Sequence, residues 1–460
     1  MVRSLADLVP RELLDRVRKG IDLVNGVAHV RILGHYDPDG TTSAAVLARA
    51  MLRAGKAFHA STTTVIDEAL VKRLKEESNE LVIMSDMGSG QLDRVEGLPC
   101  PAIVLDHHAP LRDSEKVVHV NPALFGVDGT REACGATTTW LFTLALDERN
   151  WDLAGVAMAG AIGDMQHLGG FSGLNAALFD EAVGRNVLSR ERGLALISAP
   201  VEEALTRCVI PYFVGISGRP EGARKVLAEL KIDPQVPVSE LVPEERRRLT
   251  SLLATILLKQ GADAEAVEAL VKERYWAPND GVYADELSAY VDGCARLGYE
   301  GLGLSLCLGD KEAFAKAETI RKEFDDRLLA YLHKLETGGP FTKKHIQFFY
   351  TEEPALAGSV AQIAMNYFLD HEKPTLGLSV MEKTTKISAR ATRALVAKGL
   401  DLAVALRESA KEVGGDGGGH NIASGASVPK GKEEKFLTLV DEIVGRQLAP
   451  KAEGAVTGIS

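Results

Sequence analysis

The sequence predicts an α/β protein: a largely parallel sheet first, a helical module in the middle, and a smaller α/β region at the end. Three observations predict this. Short apolar runs alternate with helical stretches through the first 125 residues, as βαβ units require. A polar cluster falls directly after three of those runs, where open parallel sheets gather their ligands. The apolar runs lapse into polar helical stretches between about 200 and 300 and return beyond 300.

Taken in order, residues 11–25 read as a helix leading to the apolar strand 28–34. Helices follow at 42–54 and 67–78, and strands at 81–85, 101–105 and 116–120. Residues 134–159 look helical and run into GAIGDMQ at 160–166. Segments 221–230, 243–260 and 263–274 read as helices of an inserted module, separated by Gly- and Pro-rich stretches at 218–222 and 232–238. A new α/β region opens near 301, with strands at 345–350 and 375–380 and helices at 360–368 and 400–412. The expected division is therefore 1–197, 198–300 and 301–460, with a frayed tail over the last ten residues.

Composition bounds the class. The chain has 460 residues, 45% hydrophobic and 25% charged, which is the ordinary globular mixture and excludes disordered, collagenous and coiled-coil proteins. Its longest apolar run, 153–163, is too short to cross a bilayer, and no h-region is visible at the N-terminus. Five scattered cysteines (100, 134, 208, 294 and 307) form no CxxC pair, so neither a disulfide framework nor a thiolate zinc site is expected, and a reducing cytoplasm is the expected home. The net charge of −11 argues against indiscriminate coating of nucleic acid. The acidity is uneven: the first 310 residues carry −12 and the remainder +1.

The acidic part holds the candidate ligands. These are His35-Tyr36-Asp37-Pro38-Asp39-Gly40, then Asp86 in SDMGSG, then Asp106-His107-His108, then Asp164 in GAIGD. Singly, the first two are also ordinary turns, and Asp39 is a natural helix cap. Together, carboxylates and imidazoles at one sheet edge repel one another unless cations lie between them. Several aspartates with few histidines favour Mn²⁺ or Mg²⁺, with Zn²⁺ and Fe²⁺ also compatible.

A second set lies near the C-terminus. Glycines 417, 418 and 419 let backbone N–H groups approach a phosphate, and His420 adds a donor; the plain alternative is a flexible loop. Lys383, Lys386, Arg390 and Arg393 form a basic stretch, read either as a phosphate-binding groove or as a solvated helix face. Trp140 and Trp151 are assigned to the core, as are Phe348, Phe349 and Tyr350. The single histidines 29, 59, 119, 333, 345 and 371 are taken as structural or surface, and His167 is given no role.

In this order the motifs resemble the DHH phosphoesterase superfamily, whose name is Asp106-His107-His108 itself. GGDGGGH at 414–420, the following ASGASVP and Ser388-Ala389-Arg390 upstream resemble the DHH-associated C-terminal domain. The match is nearest the RecJ-like exonucleases of the archaeal type. Bacterial RecJ usually carries aspartate where this chain has His35, whereas the oligoribonuclease branch carries a further aspartate where it has Thr41. The resemblance implies two divalent ions, Mn²⁺ first and Mg²⁺ as the alternative. His35, Asp37 and Asp39 would be ligands, Asp86 a bridging ligand, and His107 and Asp164 the second ion's shell. Asp106 would orient His107, and His108 would face the scissile phosphate. Ser388, Arg390, Gly417, Gly418, Gly419 and His420 would bind substrate in a groove between the two α/β domains. The implied activity is exonucleolytic hydrolysis of single-stranded DNA, or RNA, to mononucleotides in replication or repair. The alternatives are an oligoribonuclease or pAp phosphatase, and a replisome scaffold whose middle module docks GINS and the replicative helicase.

Overall fold

The computed structural model describes residues 3–262 and 264–449, so the expected tail at 451–460 lies outside the described residues. The chain divides into two compact units. One comprises residues up to 193 together with 273–324; the other comprises 194–272 together with the residues from 325 onward. These units do not follow the expected divisions at 197 and 300.

The first unit is built on five strands: β1 (His29–His35), β2 (Ala57–Thr63), β3 (Val82–Ser85), β4 (Ala102–Leu105) and β5 (Val118–Val120). All are parallel, in the order β2-β1-β3-β4-β5. β2 escapes the sequence pattern because it is a polar edge strand, AFHASTT, with only one neighbour to pack against. The register places Gly34 beside Ser85 and Ser85 beside Leu105. The residues that follow, His35, Asp86 and Asp106, therefore leave the sheet at one level. Strand order reverses between β1 and β3, which is the switch point where such sheets bind ligands.

Helix α1 (Arg11–Asn25) buries Leu13, Leu14, Val17 and Val24, the stripe its periodicity predicts. Helix α2 (Pro38–Arg53) begins earlier than expected: Asp37, not Asp39, is its N-cap, accepting from Gly40 N at 3.0 Å, and Pro38 takes the first helical position. α2, α3 (Gly135–Leu146) and α4 (Ala154–Gly163) are buried on nearly every side. The reason lies far along the chain. α5 (Ala284–Arg296) packs on α4 and α2, and α6 (Glu300–Cys307) packs on α2. Leu287, Val291, Cys294, Leu304 and Cys307 join the same core as Ile32, Val46 and Trp140. Residues 284–307, expected in the middle module and at the start of the last region, thus complete the first core.

The second unit carries a six-stranded sheet. Its strands are β6 (Phe341–Thr342), β7 (Gln347–Tyr350), β8 (Thr375–Val380), β9 (Thr384–Arg390), β10 (Asp416–Gly419) and β11 (Ala423–Pro429). The order is β10-β11-β9-β8-β7-β6, with only β7 and β8 parallel. Leu376, Leu378, Ile387, Ala389 and Val428 pack with Leu402, Leu406, Phe436 and Val440 from two helices. The middle helices Pro220–Leu230 and Pro243–Lys259 form as expected.

Several expectations are corrected. The helix expected over 263–274 ends by Glu268, and β-branched and aromatic residues make Val271–Ala277 a strand. The last α/β region starts with its first strand at Phe341, not near 301, because Lys311–Gly338 is one long helix. The basic stretch from 384 to 390 is strand β9, not a helix face, and Gly417, Gly418 and Gly419 belong to strand β10, not a flexible loop. Phe348 and Phe349 are buried as expected, but Tyr350 is exposed. Among the described residues no helix is long and apolar enough to cross a membrane, and the five cysteines are free thiols.

Candidate metal centre

The level ends of β1, β3 and β4 deliver the first ligands. Asp86 is 2% exposed and holds a left-handed backbone (φ 59°), a conformation aspartate accepts more readily than most residues. The first residue of α3 must be glycine: a Cβ on Gly135 would lie 2.5 Å from Asp86 Cβ. Asp39 reaches the same helix end, where Gly135 N and Ala136 N donate to its two oxygens at 2.7 and 2.8 Å. A Cβ on Gly160 of α4 would stand 2.8 Å from Asp39 Oδ1, so this side also admits no side chain.

Around Asp86 the nitrogens gather. His107 Nε2 lies 3.2 Å from Asp86 Oδ1 and 3.7 Å from Asp39 Oδ2. His35 Nδ1 lies 2.9 Å from Asp37 Oδ2 and 3.6 Å from Asp86 Oδ2. Asp164, the C-cap of α4, approaches His107 at 3.9 Å. Three overlapping sets with metal-ligand spacing result: His35, Asp37 and Asp86; Asp39, His107 and Asp164; and Asp86 with Asp106, His107 and His108. Asp86 Oδ1 and His35 Nδ1 are buried without a hydrogen-bond partner. Buried polar atoms are ordinarily satisfied; these two face other ligand-type atoms, His107 Nε2 and Asp37 Oδ2, without a well-aligned hydrogen bond, which fits side chains arranged around a divalent cation.

The electrostatics agree. Burial, with the Asp86 charge next, pushes the Asp39 carboxyl up to about 7. Burial and then the Asp39 charge push Asp164 up to about 6. Burial works against a protonated His35, but Asp37 and Asp86 outweigh it and raise the imidazole to about 10. His107 is likewise raised well above its ordinary range, because Asp86, Asp39 and Asp164 overcome its burial. These carboxyls and imidazoles, all pushed upward together, mark a place where negative charge is crowded and positive charge is wanted.

Asp106 differs from its neighbours. It is 1% exposed and accepts from Ser89 N, His107 N and His108 N, and its Oδ1 also lies 2.8 Å from His108 Nδ1. Burial opposes its charge, yet these partners hold its carboxyl well below the usual range. The expectation that it orients His107 is therefore corrected: Asp106 orients His108. His107 Nδ1 is instead 2.6 Å from Gly129 O, which can only accept, so this nitrogen bears the proton and Nε2 faces the carboxylates. His108 is half exposed and lines a cavity of about 270 Å³ with His35, Val65, Asp86, Gln91 and Ala109.

Comparison with known proteins now decides the family. The model of the DHH family N-terminal domain matches residues 29–162, and that of the DHHA1 domain matches 345–446. An uncharacterized protein of Methanocaldococcus jannaschii is 32% identical over 447 residues, covering 95% of this chain and 98% of its own length.

The chain belongs to the DHH family.

It is a RecJ-like member of the DHH phosphoesterase superfamily. The single-stranded-DNA-specific exonuclease RecJ of Thermus thermophilus is 28% identical over 257 residues, 53% of this chain, and the match spans only 34% of that longer protein. A structure of T. thermophilus RecJ in complex with Mn²⁺ matches 97% of this chain and 56% of its own with a TM-score of 0.61 at 20% identity. CDC45 from Entamoeba histolytica matches 94% of this chain and 98% of its own with a TM-score of 0.65 at 11% identity. At these identities the structural likenesses speak for the fold.

In the DHHA1 domain, alternation along β9 puts Ile387 and Ala389 in the core and Lys386, Ser388 and Arg390 on the opposite face. Ser388 pairs with Gly425 of β11, and Gly425 with Gly418 of β10. Lys386, Ser388, Gly417, Gly418 and Gly425 line a cavity of about 710 Å³ that is open to solvent. Gly358 makes room for Arg390, whose Nη2 would be 2.5 Å from a Cβ there. Arg390, Gly419 and the exposed His420 lie outside the lining.

Sequence reasoning missed the partners behind the ligands: Gly129, Gly135, Gln166, Ser89, Asn121 and His119. His119, set aside as structural or surface, is buried with Nε2 2.8 Å from Ser89 Oγ. Asn121 donates to that same Ser89 oxygen and to His108 O. No spacing signals such partners, since most of these contacts involve main-chain atoms brought together by tertiary packing.

Proposed function

We propose that this protein is a divalent-metal-dependent exonuclease that hydrolyses single-stranded DNA, or RNA, from an end to mononucleotides, with Mn²⁺ as its preferred ion. The observation that carries the reading is the convergence of three overlapping sets of ligand-spaced side chains around the buried Asp86, where Asp86 Oδ1 and His35 Nδ1 lack a well-aligned hydrogen bond. His35, Asp37, Asp39, Asp86, His107 and Asp164 are the proposed ligands. When bound, paired divalent ions polarise a phosphoryl oxygen and lower the pKa of an attacking water. The chain's own groups supply the rest. Asp106 takes His108 Nδ1, so Nε2 is the nitrogen left to hold a proton for the departing oxygen beside the cavity that His108 lines. Asp106 raises the His108 pKa, which favours the protonated ring. In the DHHA1 domain, Lys386 and Arg390 would hold strand phosphates while Gly417 and Gly418 let the backbone come close. The openness of that cavity favours a strand over a dinucleotide, and the complete ligand set speaks against a scaffold without catalysis.

A product ladder tests this. Single-stranded DNA and RNA labelled at the 5′ end would be incubated with Mn²⁺ beside pAp and a dinucleotide. Release of mononucleotides from the long strands is expected. Asp86→Ala and Asp164→Ala should each lose more than the ~100-fold typical of an outer-shell defect. Turnover of only pAp or the dinucleotide, or full activity in both variants, would overturn the assignment.

A further inference from the structure

Two residues beyond Asp164 lies Gln166, a buried side chain among the partners behind the ligands. Its Nε2 donates to Gly129 O (3.0 Å), Ala133 O (2.9 Å) and Asp164 Oδ2 (2.7 Å). Its Oε1 accepts from Asn175 Nδ2 at 2.6 Å. Three acceptors around the nitrogen and a donor at the oxygen leave the amide a single orientation. Gly129 O is also the carbonyl that receives the His107 Nδ1 proton. One side chain thus grips the carbonyl that fixes the ring of one proposed ligand and the carboxylate of another.

The surroundings hold this amide in place. Gln166 N donates to Ala161 O in the last turn of α4, and Met165 before it sits at φ 59°, a conformation that turns the chain sharply after Asp164. Asn175 is anchored by its own N–H to Glu132 O. The loop bearing Gly129 and Ala133, the turn bearing Asp164, and the helix bearing Asn175 therefore meet at one amide. The two amide hydrogens are shared among three acceptors, so a cation that takes the Asp164 oxygen leaves the amide fully occupied by the two carbonyls.

We infer that Gln166, oriented by Asn175, is a positioning residue that sets His107 and Asp164 to face the same divalent ion. This rests on the metal-dependent reading above. Groups behind metal ligands typically change metal affinity 10–100-fold when removed. The test is calorimetric titration of Mn²⁺ into the metal-free full-length protein, for wild type, Gln166→Met and Asn175→Ala, beside the melting temperature of each without metal. The expected result is Mn²⁺ affinity roughly 10- to 100-fold weaker in both variants. Metal-free melting should fall modestly, since each variant strips buried polar groups of a partner, and hydrolysis should be restored by raising Mn²⁺. If Gln166→Met does not fold, Asn175→Ala carries the same comparison. Unchanged affinity in a folded variant overturns the inference, as does a loss of metal-free stability matching the loss of affinity. A wild-type protein that binds no Mn²⁺ overturns the metal-dependent reading itself.

Discussion

The two sheets present their candidate chemistry in opposite ways. At the edge of the first, side chains carry everything: Asp39, Asp86, Asp106 and His107 are nearly inaccessible, and their charges face one another. On the second, the backbone is laid bare: β10 is Asp-Gly-Gly-Gly, and β9, on the far side of β11, offers alternate polar residues to solvent. The first arrangement is electrostatically expensive to fold and rigid once a cation is supplied. The second costs little, because its groups stay hydrated until a ligand arrives. The same chain therefore separates a centre that must be built before use from a surface that adapts on contact.

The sharpest way to break this contrast is Asp86→Asn. Asparagine keeps the left-handed backbone accessible and the volume unchanged, while one of the crowded negative charges disappears. Hydrolysis should fall by more than ~100-fold, yet the metal-free protein should melt at a higher temperature than wild type. A lower melting temperature would mean that Asp86 is a structural anchor, not a strained ligand.

Next is pH. Asp39 and Asp164 keep their protons up to about 7 and about 6 in the fold, against an ordinary 3.8, so the metal-free fold loses stability as pH rises through those values. His35 contributes stability that is complete below 6.5 and lost as pH rises through about 10. Asp37 and Asp106, held low, lose their contribution only below about 3.8. Metal-free melting temperature should therefore decline from about pH 5 to about pH 9, and Mn²⁺, which competes with protons for the same atoms, should stabilise most at the alkaline end. A flat metal-free profile would sink this account.

The smallest effects belong to the second sheet. Arg390→Ala should weaken strand binding and lower the salt-dependence slope by about one. Gly418→Val should fold normally, because nothing lies within 4 Å of its Cβ, and should weaken binding only several-fold. Both should leave Mn²⁺ affinity untouched; a change there would dissolve the distinction between the two regions.

What was legible in the sequence follows the same division. Strands β1, β3 and β4 were visible because buried parallel strands are continuously apolar, and the ligands were visible because they follow those strands directly. β2 was invisible because an edge strand need not be apolar. β9 resembled a charged helix because its outward positions alternate with small core residues, and short segments carry both periods poorly. The partner of His107 was misjudged because adjacency in sequence made Asp106 the natural candidate, whereas the ring meets a main-chain carbonyl 22 residues away.

The placement of α5 and α6 has a consequence for how the molecule comes into being. Every proposed ligand, from His35 to Asp164, leaves the ribosome long before Leu287, Val291 and Leu304, which cover the flank of the helices holding Asp39. A fragment ending near 193 would carry the entire ligand set and still present an uncovered greasy flank. The nascent metal centre must therefore wait, half-clad, while some ninety further residues are synthesised before its own covering arrives.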